Sequence, residues 1–97
     1  MSRSARCEAC FTVAAELGLH ARPAGEFVAL AGRFEAAIEV GSGEEWVDGR
    51  SILSLLSLGA RQGTVLRIRA AGSDASAALR ALGGLLERHA SPDSVKS

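Results

Sequence analysis

The sequence predicts an α+β fold. It is an open-faced two-layer sandwich, with three helices over one face of a four-stranded antiparallel sheet, in the order β-α-β-β-α-β-α. Three observations carry this. The strand-like runs alternate apolar and polar residues, so each has one wet face. The helix-like runs carry one apolar stripe each, so each has one side to bury. A glycine-containing turn joins the second and third strands directly, as in an antiparallel hairpin.

Phe11 and Val13 alternate with Thr12 and Ala14, which reads residues 9–15 as the first strand. Ala24, Phe27, Val28, Ala31 and Phe34 then recur at three- and four-residue steps, the stripe of a helix over about 21–33. Ala36, Ile38 and Val40 alternate with Ala37 and Glu39 in a second strand, and Gly41-Ser42-Gly43 reads as the turn into a third, Glu45 to Asp48. Ser51 can cap a short helix carrying Ile52, Leu53, Leu55, Leu56 and Leu58, with Gly59 and Gly63 flanking its end. Leu66, Ile68 and Ala70 alternate with Arg67 and Arg69 in a fourth strand. Gly72-Ser73-Asp74 opens the last helix, whose stripe is Ala75, Ala78, Leu79, Leu82, Leu85 and Leu86.

With 97 residues, 47% apolar and 23% charged, the chain suits one domain near the small end of those that bury a core unaided. That domain is expected over residues 9–90, after an N-terminal extension over 1–8 and before a flexible tail over 91–97. Eleven basic side chains balance eleven acidic ones, which removes the electrostatic footprint of a nucleic-acid binder. Phe11, Phe27, Phe34 and Trp46 are too few for a base-stacking surface. No apolar run approaches a membrane span, and Glu8 and Thr12 interrupt the N-terminal apolar segment against a secretory signal. The expected compartment is the cytoplasm, without membrane insertion. Cys7 and Cys10 are the only cysteines, spaced C-x-x-C, which fits half a zinc site or a redox pair. There is no second cysteine pair, His20 and His89 are the only other soft ligands, and the motif leads into a strand and not a helix start. Two incidental thiols, with no metal and no cofactor, are therefore expected.

The chemistry concentrates in Leu17 to Phe27, LGLHARPAGEF. Pro23 is tolerated only in the first turn of a helix, where its missing N–H leaves no bond unmade. That puts His20 at or next to the N-cap, facing the free N–H groups and the positive end of the helix dipole. The position favours a neutral, nucleophilic imidazole and welcomes an anion attached to it. Arg22 adds a permanent cation able to grip phosphate oxygens. Two roles stay open on these residues alone: a phosphoryl acceptor, or a histidine that merely caps a helix beside an exposed arginine. Ser51 likewise is either a cap or a modifiable hydroxyl at a helix start. Ile52, Leu53 and Leu56 are too many for one buried stripe of a short helix, so part of this set is expected to be an exposed docking patch.

Leu17-Gly18-Leu19-His20-Ala21-Arg22-Pro23-Ala24 closely resembles the phosphohistidine signature of the HPr family, phosphocarriers of the bacterial phosphoenolpyruvate-dependent sugar phosphotransferase system. Ser51-Ile52-Leu53-Ser54-Leu55-Leu56-Ser57-Leu58-Gly59, with Gln62-Gly63-Thr64, resembles the second signature, around the regulatory serine. The resemblance runs from about residue 10 to residue 88 without an apparent gap in element order. It implies that His20 is phosphorylated on Nδ1 by enzyme I and passes the group to enzyme IIA components. It implies that Arg22 interacts with the phosphoryl group and that Ser51 matches the serine modified by an ATP-dependent kinase, the HPr kinase/phosphorylase, in a subset of bacteria. Ile52 and Leu53 match the apolar contact surface for the partners, and Leu56 is placed with them. The family fold, four antiparallel strands with three helices on one face, agrees with the element order above, and a monomer is expected. The chain departs from the family's pattern in its N-terminal cysteines, in Gly25 where a larger residue is commoner, and in Arg50 where lysine is frequent. The same chemistry would serve a regulatory, nitrogen-related relay, and a Ser51-switched binding protein is the reading from a different class. His20 argues against the latter.

Overall fold

A computed structural model describes residues 5–88. Its elements are β1 (Ala5–Thr12), α1 (Ala21–Ala31), β2 (Ala37–Ser42), β3 (Glu45–Asp48), α2 (Ile52–Ser57), β4 (Val65–Gly72) and α3 (Ala75–Arg88). The four strands form one antiparallel sheet in the order β1-β4-β2-β3. β4 is the central strand for β1 and β2 alike: Ile68 lies opposite Ala9 on one side and Val40 on the other.

The period of two decides which side of the sheet is covered. Leu66, Ile68 and Ala70 of β4, with Ile38 and Val40 of β2, point toward the helices and are buried. The helices answer with Ala24, Phe27 and Ala31 from α1, Leu55 from α2, and Ala75, Ala78, Leu82 and Leu86 from α3, all buried in the same cluster. Gly83 gives α3 its closest approach to the sheet: a Cβ there would stand 2.1 Å from the Phe11 ring. The opposite face is wet. Arg69 reaches Glu39 Oε1 at 2.6 Å across the β2–β4 register. The Arg67 and Arg69 guanidiniums lie 4.5 and 3.7 Å from the Trp46 ring centroid.

Three boundaries differ from expectation. The first strand was expected over 9–15 but occupies Ala5–Thr12, so residues 5–8 are sheet and not an extension preceding the domain. The cause is the partner strand: β4 offers eight residues, and Ala5 pairs with Gly72 at its far end. Arg6 and Glu8 are thus the wet face of a strand. The first helix ends at Ala31, where Gly32 closes it, and not at residue 33. The hairpin turn is Gly43-Glu44, with Ser42 still paired to Glu45. Gly43 adopts φ +62, which glycine takes without strain. Gly41 lies within β2 because a Cβ there would meet the Trp46 ring at 2.9 Å. The expected tail over 91–97, and His89, lie outside the described residues.

The long connection from α1 to β2 is held by two charged side chains. Asp74, which accepts the first helical hydrogen bond of α3 on its carbonyl (Ala78 N–H, 3.0 Å), turns its carboxylate to the Glu35 and Ala36 N–H groups, both at 2.9 Å. Those amides, the Glu35 one foremost, hold its carboxyl below the usual carboxylate range against a smaller opposing effect of burial. Arg50 donates through Nη2 to the Phe34 and Ala36 carbonyls at 2.7 and 2.9 Å. The clamp fixes α1 against the sheet from the end opposite His20.

Candidate functional site

The segment between β1 and α1 carries the site, and it is tied down at nearly every residue. Val13 N–H donates to Thr64 O (2.9 Å), Ala14 N–H to Leu86 O (3.1 Å) and Gly18 N–H to Ala15 O (2.9 Å). Leu19 N–H donates to Ala60 O at 3.0 Å, and Gln62 Nε2 returns to Ala14 O at 3.1 Å. Gly18 makes the closest pass. It adopts φ +74, and a Cβ on it would fall 2.3 Å from Ala60 O. No other residue type fits both constraints. The sequence shows this glycine between two leucines, but the steric demand comes from the segment after α2, around Ala60, far along the chain.

From that fixed loop the chain enters α1 at His20. The residue is extended, with φ −94 and ψ −171, and is the N-cap. The first helical hydrogen bond runs from Ala24 N–H to His20 O at 3.0 Å. Pro23 is therefore the last position whose N–H has no helical partner to lose, which is why proline is accommodated and buried there. The Ala21 and Arg22 amides precede that first bond and stand at the open positive end of the helix. The His20 side chain makes no capping hydrogen bond and is half-exposed. Of the two roles left open by the sequence, a capping imidazole is not what the structure shows.

Arg22 is exposed on the first turn of α1 and pairs with Glu26 at 3.7 Å, the two side chains being 76% and 46% exposed. Such a pair leaves the guanidinium free to turn to a stronger anion. Ser51 caps α2: it is extended, its Oγ accepts from Ser54 N–H at 3.2 Å, and its carbonyl accepts from Leu55 N–H at 3.0 Å. The hydroxyl is half-exposed.

The two helix starts meet at Gly25. A methyl there would touch Ile52 Cδ1 at 4.0 Å, an ordinary contact, so the position has room for a side chain. Ile52 is 41% exposed and Leu53 79%, whereas Leu55 is fully buried. Leu56 packs partly against the core, so of the three apolar residues placed in the docking patch it contributes least to the surface. Leu17, not singled out as a contact by the sequence, is 78% exposed.

Two depressions lie elsewhere, one over the wet face of the sheet around Arg6, Glu39 and Arg69, the other along β2 and β3 beside Arg50. Neither includes His20, Arg22 or Ser51. The imidazole is half-exposed, within reach of a docking protein. Cys7 faces the helices, half-buried, and Cys10 faces away, exposed. Three positions along a strand place two side chains on opposite faces, so these thiols do not converge.

Residues 7–88 match the family model described as the PTS HPr component phosphorylation site. The chain belongs to the HPr family. It is similar to phosphocarrier protein HPr of Pseudomonas aeruginosa, with 43% identity over 72 residues, covering 73% of this chain and 80% of that protein. A multiphosphoryl transfer protein of Xanthomonas campestris is 39% identical over 77 residues, which are 79% of this chain and 9% of that much longer protein. Among solved structures, HPr from Bacillus anthracis superposes with a TM-score of 0.82 at 36% identity, covering 86% of this chain and 99% of that one. The HPr fold expected from the element order is thereby shown, and the chain is a phosphocarrier of the phosphotransferase system. Among the described residues no helix is long and apolar enough to cross a membrane.

Proposed function

We propose that this HPr accepts a phosphoryl group on Nδ1 of His20 from phosphorylated enzyme I and passes it to enzyme IIA components during sugar uptake, acting in the cytoplasm. The observation that carries the reading is the unengaged imidazole at the N-cap of α1, beside amides that precede the first helical hydrogen bond. In transfer, the Nδ1 lone pair attacks phosphorus. A nitrogen–phosphorus bond forms while the donor's bond to phosphorus breaks and returns its electron pair to the donor. Nε2 keeps its proton. The Ala21 and Arg22 amides and the Arg22 guanidinium face the charge that arrives. Nothing encloses the group, so it can leave by the same route to an acceptor. Ile52 and Leu53 support docking, with Leu56 beneath them. Ser51, at the edge of that patch, is the site where a kinase adds a regulatory phosphate.

The test is incubation with phosphoenolpyruvate and enzyme I, followed by mass spectrometry and an acid-lability assay. The parent protein gains an acid-labile phosphate, and His20→Ala gains none. Unchanged labelling of His20→Ala overturns the assignment.

A further inference from the structure

We propose that β1 pairs edge to edge with β1 of a second copy of this chain, antiparallel about a two-fold axis at Cys7, so that Arg6 of each copy stands opposite Glu8 of the other. The proposal does not depend on the carrier reading above.

β1 lies at one edge of the sheet, hydrogen-bonded to β4 alone. Along a strand the side chain and the backbone N–H both alternate in direction. Val13 N–H donates to Thr64 O on the β4 side at 2.9 Å. Its neighbours turn the other way: Thr12 N–H donates to Glu87 Oε2 and Ala14 N–H to Leu86 O, both at 3.1 Å. The end of α3 therefore covers the edge over residues 12–14. Counting back from Thr12 by twos, Cys10, Glu8 and Arg6 turn their N–H and C=O groups to the uncovered edge and their side chains to the wet face, where all three are exposed. Such a row of unpaired backbone groups is a template for another strand.

Charge and space select the register. Among the described residues neither Arg6 nor Glu8 has an ion pair or a side-chain hydrogen bond. An axis at Cys7 sets each against its opposite charge and, since both face the edge, joins them through about four backbone hydrogen bonds. An axis at Arg6 or at Glu8 sets like charges opposite each other. An axis beyond Glu8 brings the second strand to Thr12, where Glu87 already occupies the edge. The two Cys7 residues then face each other without hydrogen bonds on the helix side, with Cα atoms about 4.5 Å apart, which a disulfide can span. So short an edge makes a transient dimer, with a Kd of about 1 mM. From Arg6 to Thr12 the strand runs about 20 Å, so the interface lies away from the loop that carries His20 and leaves both imidazoles open.

The experiment is oxidation of the full chain by diamide at about 1 mM protein, with the products read by mass spectrometry. Two Cys7 thiols give up two protons and two electrons to the azo compound, which becomes the hydrazine, and one S–S bond forms between the copies. The parent and Cys10→Ser give a linked dimer, and Cys7→Ser gives about tenfold less. Random collision predicts the reverse, because Cys10 is the exposed thiol and Cys7 the half-buried one. In the Cys10→Ser background, Arg6→Glu alone and Glu8→Arg alone each lower the yield about fivefold at low salt. Mixing those two variants restores the parental yield as the mixed dimer, since every opposed pair is then of opposite sign. All variants keep the parent melting temperature, because residues 6, 8 and 10 are exposed and Cys7→Ser is close in size. Absence of a Cys7 disulfide, linkage through Cys10 instead, or a mixed pair no better than its separate members overturns the proposal.

Discussion

Arg22 holds its place in α1 by a loose tether. An ion pair at 3.7 Å between side chains 76% and 46% exposed contributes a few tenths of a kcal/mol to the helix at most. Replacing it should therefore reveal function without a stability cost. Arg22→Ala is expected to melt within a few degrees of the parent and to accept phosphate at His20 about tenfold more slowly, the loss of about 1.4 kcal/mol of charge-assisted contact. Quench-flow labelling beside a thermal melt measures both; a large drop in melting temperature with parental transfer would reverse the assignment. The same scale shows what the sequence could and could not disclose. Pro23 located the helix start, because a proline's missing donor is harmless only in the first turn, and that placed His20 correctly. Gly18 gave no comparable sign. Its constraint is the carbonyl of Ala60, and no local pattern announces a contact with a distant segment.

At the scale of elements, α2 is six residues long and depends on its cap. Ser51→Ala removes the oxygen that accepts from Ser54 N–H and should cost about 1 kcal/mol while leaving transfer at the parental rate. Ser51→Asp keeps an acceptor at the cap and should fold like the parent. It should also dock a partner more weakly, slowing His20 phosphorylation at low salt and recovering as salt rises. Parental kinetics of Ser51→Asp at low salt would leave the serine a cap and nothing more. The elements themselves were legible from periodicity, but their ends were not. Residues 5–8 looked like an extension because Arg6, Cys7 and Glu8 carry no strong apolar signal. They are strand because β4 runs to Gly72 and gives them a partner. Trp46 explains the misplaced hairpin turn: Gly41 is there to admit an indole ring from the next strand, which the turn-like composition of Gly41-Ser42-Gly43 conceals.

The whole molecule is closed by the Asp74 and Arg50 clamp on residues 34–36. The Asp74 carboxyl is held below its ordinary range in the folded chain, so the unfolded chain binds its proton first as pH falls. The stability it contributes is complete above the ordinary carboxylate pKa and is lost as pH drops through the lowered value. Urea midpoints of the parent and Asp74→Asn should differ at neutral pH, and the gap should narrow steadily into the acid range. A gap that stays constant with pH would show that the carboxylate charge is not what the two amides stabilise. His20 transfer should be parental in Asp74→Asn at neutral pH, since the clamp grips the connection leaving the opposite end of α1.

The strand order has a consequence for how the chain reaches this state. β2 and β3 are neighbours in sequence and can pair as soon as both exist, through a two-residue turn. β1 has no such option. Its partners run from Val65, opposite Thr12, to Gly72, opposite Ala5, more than fifty positions downstream. A chain growing from the ribosome therefore carries its first strand unpaired until β4 has emerged, with Cys7, Ala9 and Phe11 still uncovered. Closure of the β1–β4 ladder is thus a long-range pairing that has to wait for β4. The loop that leads to His20 hangs between that ladder and α1, and it acquires its shape only when the last third of the polypeptide has been made.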